Sequence, residues 1–402
     1  MSNEYAGLAS AVDKFKDAVK KELDNKNGEF HEAINDEEPI TFKGLGAERE
    51  RSEYLVDPSD VLFWHDPTAY LDELERWKGQ KVLDEHLEIR KYLDDSDQLN
   101  PFSRLVEAIK RGRVAPFVGA GLSYPYKLPL WGMALERLVT KLEGASKSDQ
   151  RAMLPALQYL ENVKELLDQW KYLEAAQLIY ENHKTRFESF VLNTFDGSNV
   201  LEFFGVLDLL PQLSDGCIIT TNFDNLIERV YTEKNRSIEG YMHGTQSRNQ
   251  FASKLIQGER CILKLHGNYS DPETYIFSKS QYDQAYGEES LDYTKPLAKV
   301  LRQIFVSHSL LFLGCSLETD KTLELFIDVV SSEAFDIPAH FAFLPDPSNH
   351  QKKLEKEDLL AKAKIHPIWY QVNVDDCGAQ NHTQLEDLIK FAVACSTGKA
   401  KI

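Results

Sequence analysis

Residues 114–123 are VAPFVGAGLS, an apolar run that passes directly into Gly119-Ala120-Gly121. A short apolar run that ends at glycine is typical of a strand buried on both faces, as in a parallel sheet. A Gly-x-Gly at a strand-to-helix turn lets backbone N–H groups approach a pyrophosphate at the helix N-terminus. The third glycine of the common dinucleotide fingerprint is absent, because Tyr124 stands in its place. The stretch alone leaves two interpretations open, a nucleotide-binding loop or a plain tight turn.

Further apolar runs follow at intervals along the chain and alternate with longer helical patterns. They are GCIITT (216–221), RCILKL (260–265), SLLFLG (309–314), HFAFL (340–344) and HPIWYQV (366–372). This alternation predicts a parallel sheet with helices on both faces. The stretch from about 125 to 212 has helical periodicity throughout, which predicts a helical subdomain inserted after the first strand. The predicted fold class is α/β, a Rossmann-like parallel sheet with a helical insertion.

Residues 1–100 differ from the remainder in being rich in charge and lacking strand-like runs. AVDKFKDAVKKELD and AYLDELERWKGQKVLDEHLEIRKYL have helical spacing, so we expect a helical N-terminal extension there. We expect it to make oligomer or partner contacts, and residues 101–402 to form the sheet domain. NDEEPITFKGLGAERERSEYLVDPSD mixes turn residues with charges, which favours a surface crossing or a mobile arm over a packed element.

Composition excludes several classes of protein. The net charge of −18 argues against a broad nucleic-acid-binding face, so no direct nucleic-acid contact is predicted. The five cysteines form no CxxC pair, which supports neither a disulfide framework nor a cysteine-rich zinc module, and no metal is predicted. No apolar run is long enough to span a bilayer, and the N-terminus lacks a signal pattern. We therefore expect a cytoplasmic protein with no membrane contact.

The residues that directly follow the predicted strands are the candidates for ligand binding and catalysis. In an open parallel sheet, ligands bind beyond the carboxyl ends of the strands. Those ends carry GAGLS after the first strand, then Thr221-Asn222-Phe223-Asp224, His266-Gly267, Gly314-Cys315-Ser316 and Asn373.

The ordered set GAGLS, TTNFD, KLHG and GCSLETD resembles the sirtuin (SIR2) family. The corresponding family elements are a GAGxS loop, a QN-x-D loop, an HG and a GTS-like loop, and the resemblance covers about residues 113–395. The two CxxC pairs of protein-deacylating sirtuins are missing, and KLPLWGMAL replaces their PDFR-like segment. With Thr221 in place of glutamine, these departures resemble the bacterial SIR2-like antiphage-defence branch.

The resemblance implies an NAD+ glycohydrolase that yields nicotinamide and ADP-ribose as an abortive-infection effector. Such an enzyme would be restrained until a partner or assembly activates it, which implies a homo-oligomer and a partner such as a HerA-like ATPase or another defence sensor. Two alternatives stay open: a non-catalytic sensor of NAD+ or an ADP-ribose derivative, and an atypical protein deacylase or ADP-ribosyltransferase. Retention of both His266 and Asn222 favours the enzyme, because a pure binder needs neither.

The resemblance also implies roles for three side chains. His266 would be the general base, a task suited to imidazole, or alternatively a histidine that satisfies a buried strand end. Asn222 would orient water or the ribose, with an Asx-turn as the alternative. Asp224 would receive the nicotinamide carboxamide N–H, or simply cap the helix NLIERVY.

The remaining candidates concern the rest of the dinucleotide. Gly119, Ala120, Gly121 and Ser123 are expected to cradle the diphosphate. Gly314 and Ser316 are candidates for the adenosine ribose or phosphate, and Asn373 for the adenine ribose. Asp320 is either a ligand or a helix-start acid. Five residues have an open choice between pocket wall and core packing: Pro129, Trp131, Tyr269, Tyr275 and Tyr282.

Overall fold

The structure is a computed structural model that describes residues 3–35, 40–45, 51–147, 153–246, 250–318, 321–332, 336–374 and 380–402. The chain divides into two compact units, Met1–Leu87 and Glu88–Ile402. Of the helices that fall within these described ranges, none is both long and apolar enough to cross a bilayer.

In its described residues, the first unit contains three helices and a pair of antiparallel strands. Its elements are α1 (Asn3–Asn35), β1 (Ile40–Leu45), β2 (Arg51–Val56), α2 (Pro58–His65) and α3 (Pro67–Glu85). The two strands pair antiparallel, with Ile40 opposite Val56 and Leu45 opposite Arg51. This strand pair differs from the surface crossing expected here. Its strands contain ITF and YLV, whose branched and aromatic residues favour extended backbone in spite of the surrounding charges.

This unit has an aromatic core of its own. Phe30, Tyr70 and Leu74 are buried together, and the rings of Phe30 and Tyr70 meet edge to face with centroids 5.4 Å apart. The buried His31 imidazole bridges Tyr70 and Asp24, with its nitrogens 2.6 Å from the hydroxyl and 2.8 Å from the carboxylate. These contacts join α1 to α3.

The second unit is built on a seven-stranded parallel sheet in the order β5-β6-β4-β3-β7-β8-β9. The strands are β3 (Val114–Val118), β4 (Cys217–Thr220), β5 (Gly240–His243), β6 (Cys261–Lys264), β7 (Ser309–Leu313), β8 (His340–Pro345) and β9 (Ile365–Tyr370). This confirms the predicted α/β Rossmann-like class and all six predicted strands. The edge strand β5 was not predicted, because GYMH contains no apolar run. A short ribbon, β10 (Asn373–Val374) and β11 (Gln380–Asn381), follows β9.

Helices surround this sheet. They are α4 (Leu87–Asp95), α5 (Leu99–Lys110), α6 (Trp131–Lys147), α7 (Met153–Asp168), α8 (Tyr172–Thr194), α9 (Gly205–Leu213), α10 (Leu226–Glu233), α11 (Phe251–Gln257), α12 (Lys279–Tyr286), α13 (Pro296–Ser307), α14 (Lys321–Ser332), α15 (His350–Ala361) and α16 (Thr383–Ser396). Helices α6, α7 and α8 pack around a core of their own and form the inserted helical part. Helix α9 instead contacts α16 and β3, so it belongs to the layer against the sheet.

The central strand β3 is buried along its whole length. Ala115 and Phe117 face a core shared with α13 and α14. Val114 and Val118 alternate with them and therefore face the other side of the sheet, where α9 contacts β3. Strand β4 lies on one side of β3 and β7 on the other. The strand order therefore reverses at β3, and the carboxyl end of β3 is the position where open α/β sheets bind ligands.

Candidate active site

The glycine turn after β3 is held against the backbone that follows β7. Gly119 N donates to Leu313 O at 2.8 Å, and Gly121 N donates to Gly314 O at 3.0 Å. A Cβ added to Gly119 would lie 2.4 Å from Gly314 O, and one added to Gly121 would lie 2.9 Å from it. The close approach of the two backbones by itself requires glycine at both positions, whatever ligand the turn also holds.

Gly314 completes this contact from the other side. Its φ is +66°, and a Cβ there would lie 2.7 Å from Leu122 N. Beyond it, Ser316 is exposed, and its carbonyl accepts a hydrogen bond from Lys356 Nζ at 2.8 Å. Gly314 therefore lies behind the turn as a packing partner. The predicted roles of Gly314 and Ser316 on the adenosine side stay predictions.

Asn222 lies directly after β4 and is held by its amide nitrogen. Nδ2 donates to Gly119 O at 3.1 Å and to Ser123 Oγ at 2.9 Å, and the Asn222 backbone N–H donates to Thr220 Oγ1 at 3.0 Å. The side-chain oxygen Oδ1 is buried and has no hydrogen-bond partner within the described chain. An unpartnered buried polar atom can mark a place for a ligand or water, and Asn222 lines the pocket, so Oδ1 is a candidate acceptor for a bound donor.

Ser123 links Asn222 to a buried carboxylate. Its hydroxyl donates to Asp224 Oδ2 at 2.7 Å, and Leu226 N donates to the other oxygen of Asp224 at 3.1 Å. Burial raises the pKa of Asp224, while Lys264 and the hydrogen bond from Ser123 act in the opposite direction. Asp224 therefore satisfies a backbone donor at the start of α10 and also lines the pocket, so the two predicted roles are compatible.

His266 follows β6 and faces the same pocket. Its Nε2 lies 2.6 Å from the Tyr282 hydroxyl, and its ring centroid lies 6.2 Å from that of Phe223. Burial lowers the pKa of His266 from 6.5 to about 4, and a hydrogen bond with the backbone of Thr221 only partly offsets the shift. The residue as a whole is half-buried and lines the pocket. A neutral imidazole at pH 7 is able to accept a proton.

The pocket contains about 630 Å³ of space, part of it open to solvent. Aromatic rings form much of its wall. The centroid of the Trp131 ring lies 5.8 Å from the ring centroids of both Phe223 and Phe277. Trp131 thus packs against the aromatic core and also borders the pocket. Pro129 and Leu128 border the pocket as well. A largely apolar pocket with a few convergent polar groups is typical of a small-molecule site.

The structure brings one subset of the predicted residues together. The predicted polar and glycine-turn residues that line the pocket are Ala120, Ser123, Asn222, Asp224 and His266. Gly119, Gly121 and Gly314 lie behind it in the backbone contact described above.

Other candidates lie elsewhere. Asn373 is exposed in β10 and does not line the pocket, so its predicted role stays a prediction, and Asp320 lies outside the described residues. Of the three tyrosines, Tyr282 lines the pocket, whereas Tyr275 donates to the Tyr269 carbonyl at 2.5 Å and belongs to the aromatic core.

Lys264 is a residue whose importance the sequence interpretation missed. It is fully buried at the end of β6, and its ammonium group contacts the loop that carries Asn222 and Asp224. The sequence does contain a sign of this role, a lysine inside the otherwise apolar run CILKL. Lysine is almost never fully buried without a partner, so a lysine in a buried strand indicates nearby acceptors.

No metal site accompanies these side chains in the part of the chain that the structure describes. There, no group of three or more His, Cys, Asp or Glu side chains is placed to hold an ion. Cys217, Cys261 and Cys395 are free thiols, and Cys377 lies outside the described residues.

Known proteins resemble part of this chain. A family described as SIR2-like domain matches residues 216–368. The chain is 23% identical over 266 residues to a protein named NAD(+) hydrolase ThsA from Bacillus cereus (strain MSX-D12). The matched region is 65% of this chain and 48% of that protein. It is 26% identical over 226 residues to the NAD(+) hydrolase ThsA of Enterococcus faecium, and this match is 55% of this chain and 40% of that protein.

A third relative comes from another bacterium. Defense-associated sirtuin 2 of Bacillus subtilis is 23% identical over 280 residues, which is 66% of this chain and 24% of that protein. The chain thus spans less than half the length of each of these relatives.

Proposed function

Because the chain carries a SIR2-like domain, as the motif order predicted, we propose that it is an NAD+ glycohydrolase. Water and NAD+ would give nicotinamide, ADP-ribose and a proton. The observation that carries the proposal is the unpartnered Asn222 Oδ1, buried in one apolar pocket with the neutral His266. Two similar proteins are named NAD(+) hydrolase, which supports the same chemistry.

The leaving group decides what the site must supply. When the bond between the ribose carbon and the nicotinamide nitrogen breaks, the electron pair neutralises the pyridinium ring, so no general acid is needed. The site must instead hold the ribose as positive charge develops and position the nucleophile. In this proposal Asn222 Oδ1 accepts from a ribose hydroxyl or the attacking water, and Asp224 accepts from the carboxamide N–H. The apolar wall containing Trp131 and Phe277 would surround the departing ring.

His266 would take the proton released as water attacks. Its Nε2 now hydrogen-bonds the Tyr282 hydroxyl, and in the proposed reaction the water or a ribose hydroxyl takes that place. Its lowered pKa keeps the imidazole neutral at pH 7 and also makes it a weaker base than an exposed histidine. The Gly119–Ser123 turn would hold the diphosphate, with Gly314, Ser316 and Asn373 on the adenosine side as predicted.

The biological setting is proposed on the same basis. We infer an effector of antiphage defence that acts in the cytoplasm, is restrained until infection, and is released by a partner or by assembly into a homo-oligomer. The name Defense-associated sirtuin 2 borne by one relative supports the defence role. A HerA-like ATPase or another sensor subunit is the class of partner that the resemblance implies, and residues 1–100 are the surface we propose for it.

The experiment is a product assay on the full chain, alone and with each protein encoded beside it. We expect chromatography to show nicotinamide and ADP-ribose in equal amounts. His266→Ala and Asn222→Ala should bind NAD+ yet slow turnover by about 100-fold or more, as loss of a base or a positioning group does. His350→Ala is a matched control, because this histidine is exposed on α15.

Two results would contradict the proposal. Near-normal turnover in both variants would remove His266 and Asn222 from the mechanism. NAD+ binding without nicotinamide release under every condition would replace the hydrolase with a sensor.

A further inference from the structure

A buried ammonium group joins the two loops that carry the pocket residues. The Lys264 side chain is 0% exposed and lies two residues before His266. Its Nζ donates to Glu228 Oε1 at 2.9 Å, to Asn268 Oδ1 at 3.2 Å and to Phe223 O at 3.3 Å. It also donates to Asp224 O. All of these acceptors lie on α10 or on the loops that follow β4 and β6.

The two backbone acceptors fix a particular part of the site. The Phe223 and Asp224 carbonyls belong to the peptide groups on either side of the Asp224 Cα. Asn222 directly precedes Phe223 in the chain. Tyr269 N also donates to Phe223 O, at 3.0 Å. The loop after β4 is therefore tied to the loop after β6 at the point where each presents its pocket side chain.

Charge gives Lys264 a second effect on the same loop. Glu228 is its ion-pair partner, and Asp224 lies four residues before Glu228, in the loop that leads into α10. Both carboxylates lie in surroundings where an unpaired charge is costly. Lys264 lowers the pKa of Asp224 against the larger effect of burial. Without the ammonium group, two acidic side chains would share a buried region with no cation between them.

We propose that Lys264 is a positioning residue of this site: its ammonium group holds the Phe223 and Asp224 carbonyls so that Asn222 and Asp224 face the substrate beside His266. This inference rests on the proposed function. Lys264 does not line the pocket, so it acts through the loop and does not touch the reacting atoms. The competing explanation is an ion pair that contributes only to stability.

Two sets of variants separate these explanations. Lys264→Met alone leaves the Glu228 side chain, which is only 18% exposed, without its counter-ion. Breaking a buried ion pair by removing one partner is destabilising, whereas replacing both partners by apolar residues is often neutral. We therefore expect Lys264→Met to lower the melting temperature and Lys264→Met/Glu228→Leu to recover most of it. Glu228→Gln keeps an oxygen acceptor for Lys264 and every backbone contact. Because the ammonium group still reaches the Phe223 and Asp224 carbonyls, kcat should stay within about threefold of wild type even where the lost charge pairing lowers the melting temperature.

The positioning role predicts that stability and turnover separate in the double variant. Its kcat for NAD+ should stay about 100-fold below wild type, the scale of a misplaced catalytic group, even though its melting temperature recovers. Amide exchange should be faster at Asn222 and Leu226, whose N–H groups bond Thr220 Oγ1 and Asp224 Oδ1. Lys234→Met is the matched control, because it breaks an exposed 2.8 Å pair with Asp208. It should change neither readout.

Different results identify different failures. Recovery of kcat together with melting temperature in the double variant would overturn the positioning role. So would a kcat loss in Glu228→Gln as large as that in Lys264→Met, or unchanged exchange at Asn222 and Leu226. If wild type released no nicotinamide, the proposed function would fail, and the exchange measurement would still report whether Lys264 orders the loop.

Discussion

The two sides of β3 use the ends of their strands differently. On the β4 and β6 side, Asn222 and Asp224 are 5% and 3% exposed and line one pocket with His266. On the β7 side, Gly314 contributes backbone contact to the glycine turn, and Ser316 is exposed. Motifs at equivalent strand ends thus serve two physical tasks. One side brings polar side chains to a pocket, and the other shapes the glycine turn beside it.

The sharpest way to break this comparison is to remove one side chain from each side. His266→Ala should lower kcat for NAD+ by about 1,000-fold, within the range that a general base contributes. Ser316→Ala should change kcat by less than about threefold, because its proposed contact on the adenosine side contributes to binding and would alter KM instead. Steady-state nicotinamide release measures both. Equal losses in the two variants would place catalytic chemistry on both sides of β3.

The backbone task on the β7 side predicts a steric penalty. Gly314→Ala should lower the free energy of unfolding by about 3 kcal/mol, since it combines a left-handed backbone with a collision. The added Cβ would lie 2.5 Å from Leu122 Cδ1 and 2.7 Å from Leu122 N.

Gly112→Ala is the control for Gly314→Ala. Gly112 has a φ of +63° but nothing within 4 Å of its Cβ position, so it isolates the backbone cost of about 1 kcal/mol. Urea unfolding of both variants gives the comparison. If both variants lost the same free energy of unfolding, the collision of the added Cβ with Leu122 would contribute nothing beyond the cost of the left-handed backbone.

Asp224 tests whether the β4 side binds substrate as well as shaping the loop. Asp224→Asn should raise KM for NAD+ about tenfold with a smaller change in kcat, the pattern of a group that binds ground state and transition state alike. The amide keeps an oxygen for Leu226 N, so the start of α10 should survive. An unchanged KM would return Asp224 to the capping role alone.

The smallest expected effect is the response of turnover to mild acid. His266 has its pKa lowered to about 4 by burial, so its reactive neutral form persists well below pH 6.5. We expect kcat/KM to change less than about twofold between pH 7 and 5.5 on account of this group. A pH–rate profile with a midpoint near 6.5 would show that the imidazole titrates as an exposed group.

The same shift affects stability with a defined sign. The unfolded chain binds a proton at His266 near pH 6.5, and the folded chain binds it only near pH 4. The contribution of this group to stability is therefore fully present above pH 6.5 and is lost as the pH falls towards 4. His340, whose burial lowers its pKa to about 3, acts in the same direction on the β8 side.

Much of the fold and part of the site followed from local sequence. The six predicted strands were recognisable because a strand buried on both faces is a continuous apolar run. Asn222, Asp224 and His266 could be placed together because parallel strands bring their carboxyl ends to one edge. The β5 strand and the β1–β2 pair were missed, since neither has such a run.

Tertiary contacts account for what local pattern did not reveal. Glycine is required at positions 119 and 121 because the backbone after β7, about 190 residues later in the chain, packs against both. The sequence around the turn contains no sign of this contact. Lys264 is different, because a lysine in an apolar strand was visible in the sequence. Its four oxygen partners were not.

The most direct test of the account is a structure of the Asn222→Ala variant with NAD+ bound, in which slowed chemistry preserves the substrate. We predict the nicotinamide ring between Trp131 and Phe277, the scissile ribose carbon beside His266, and the diphosphate along the Gly119–Ser123 turn. A nicotinamide ring outside this pocket, on the β7 side of β3 or in solvent, would contradict the account.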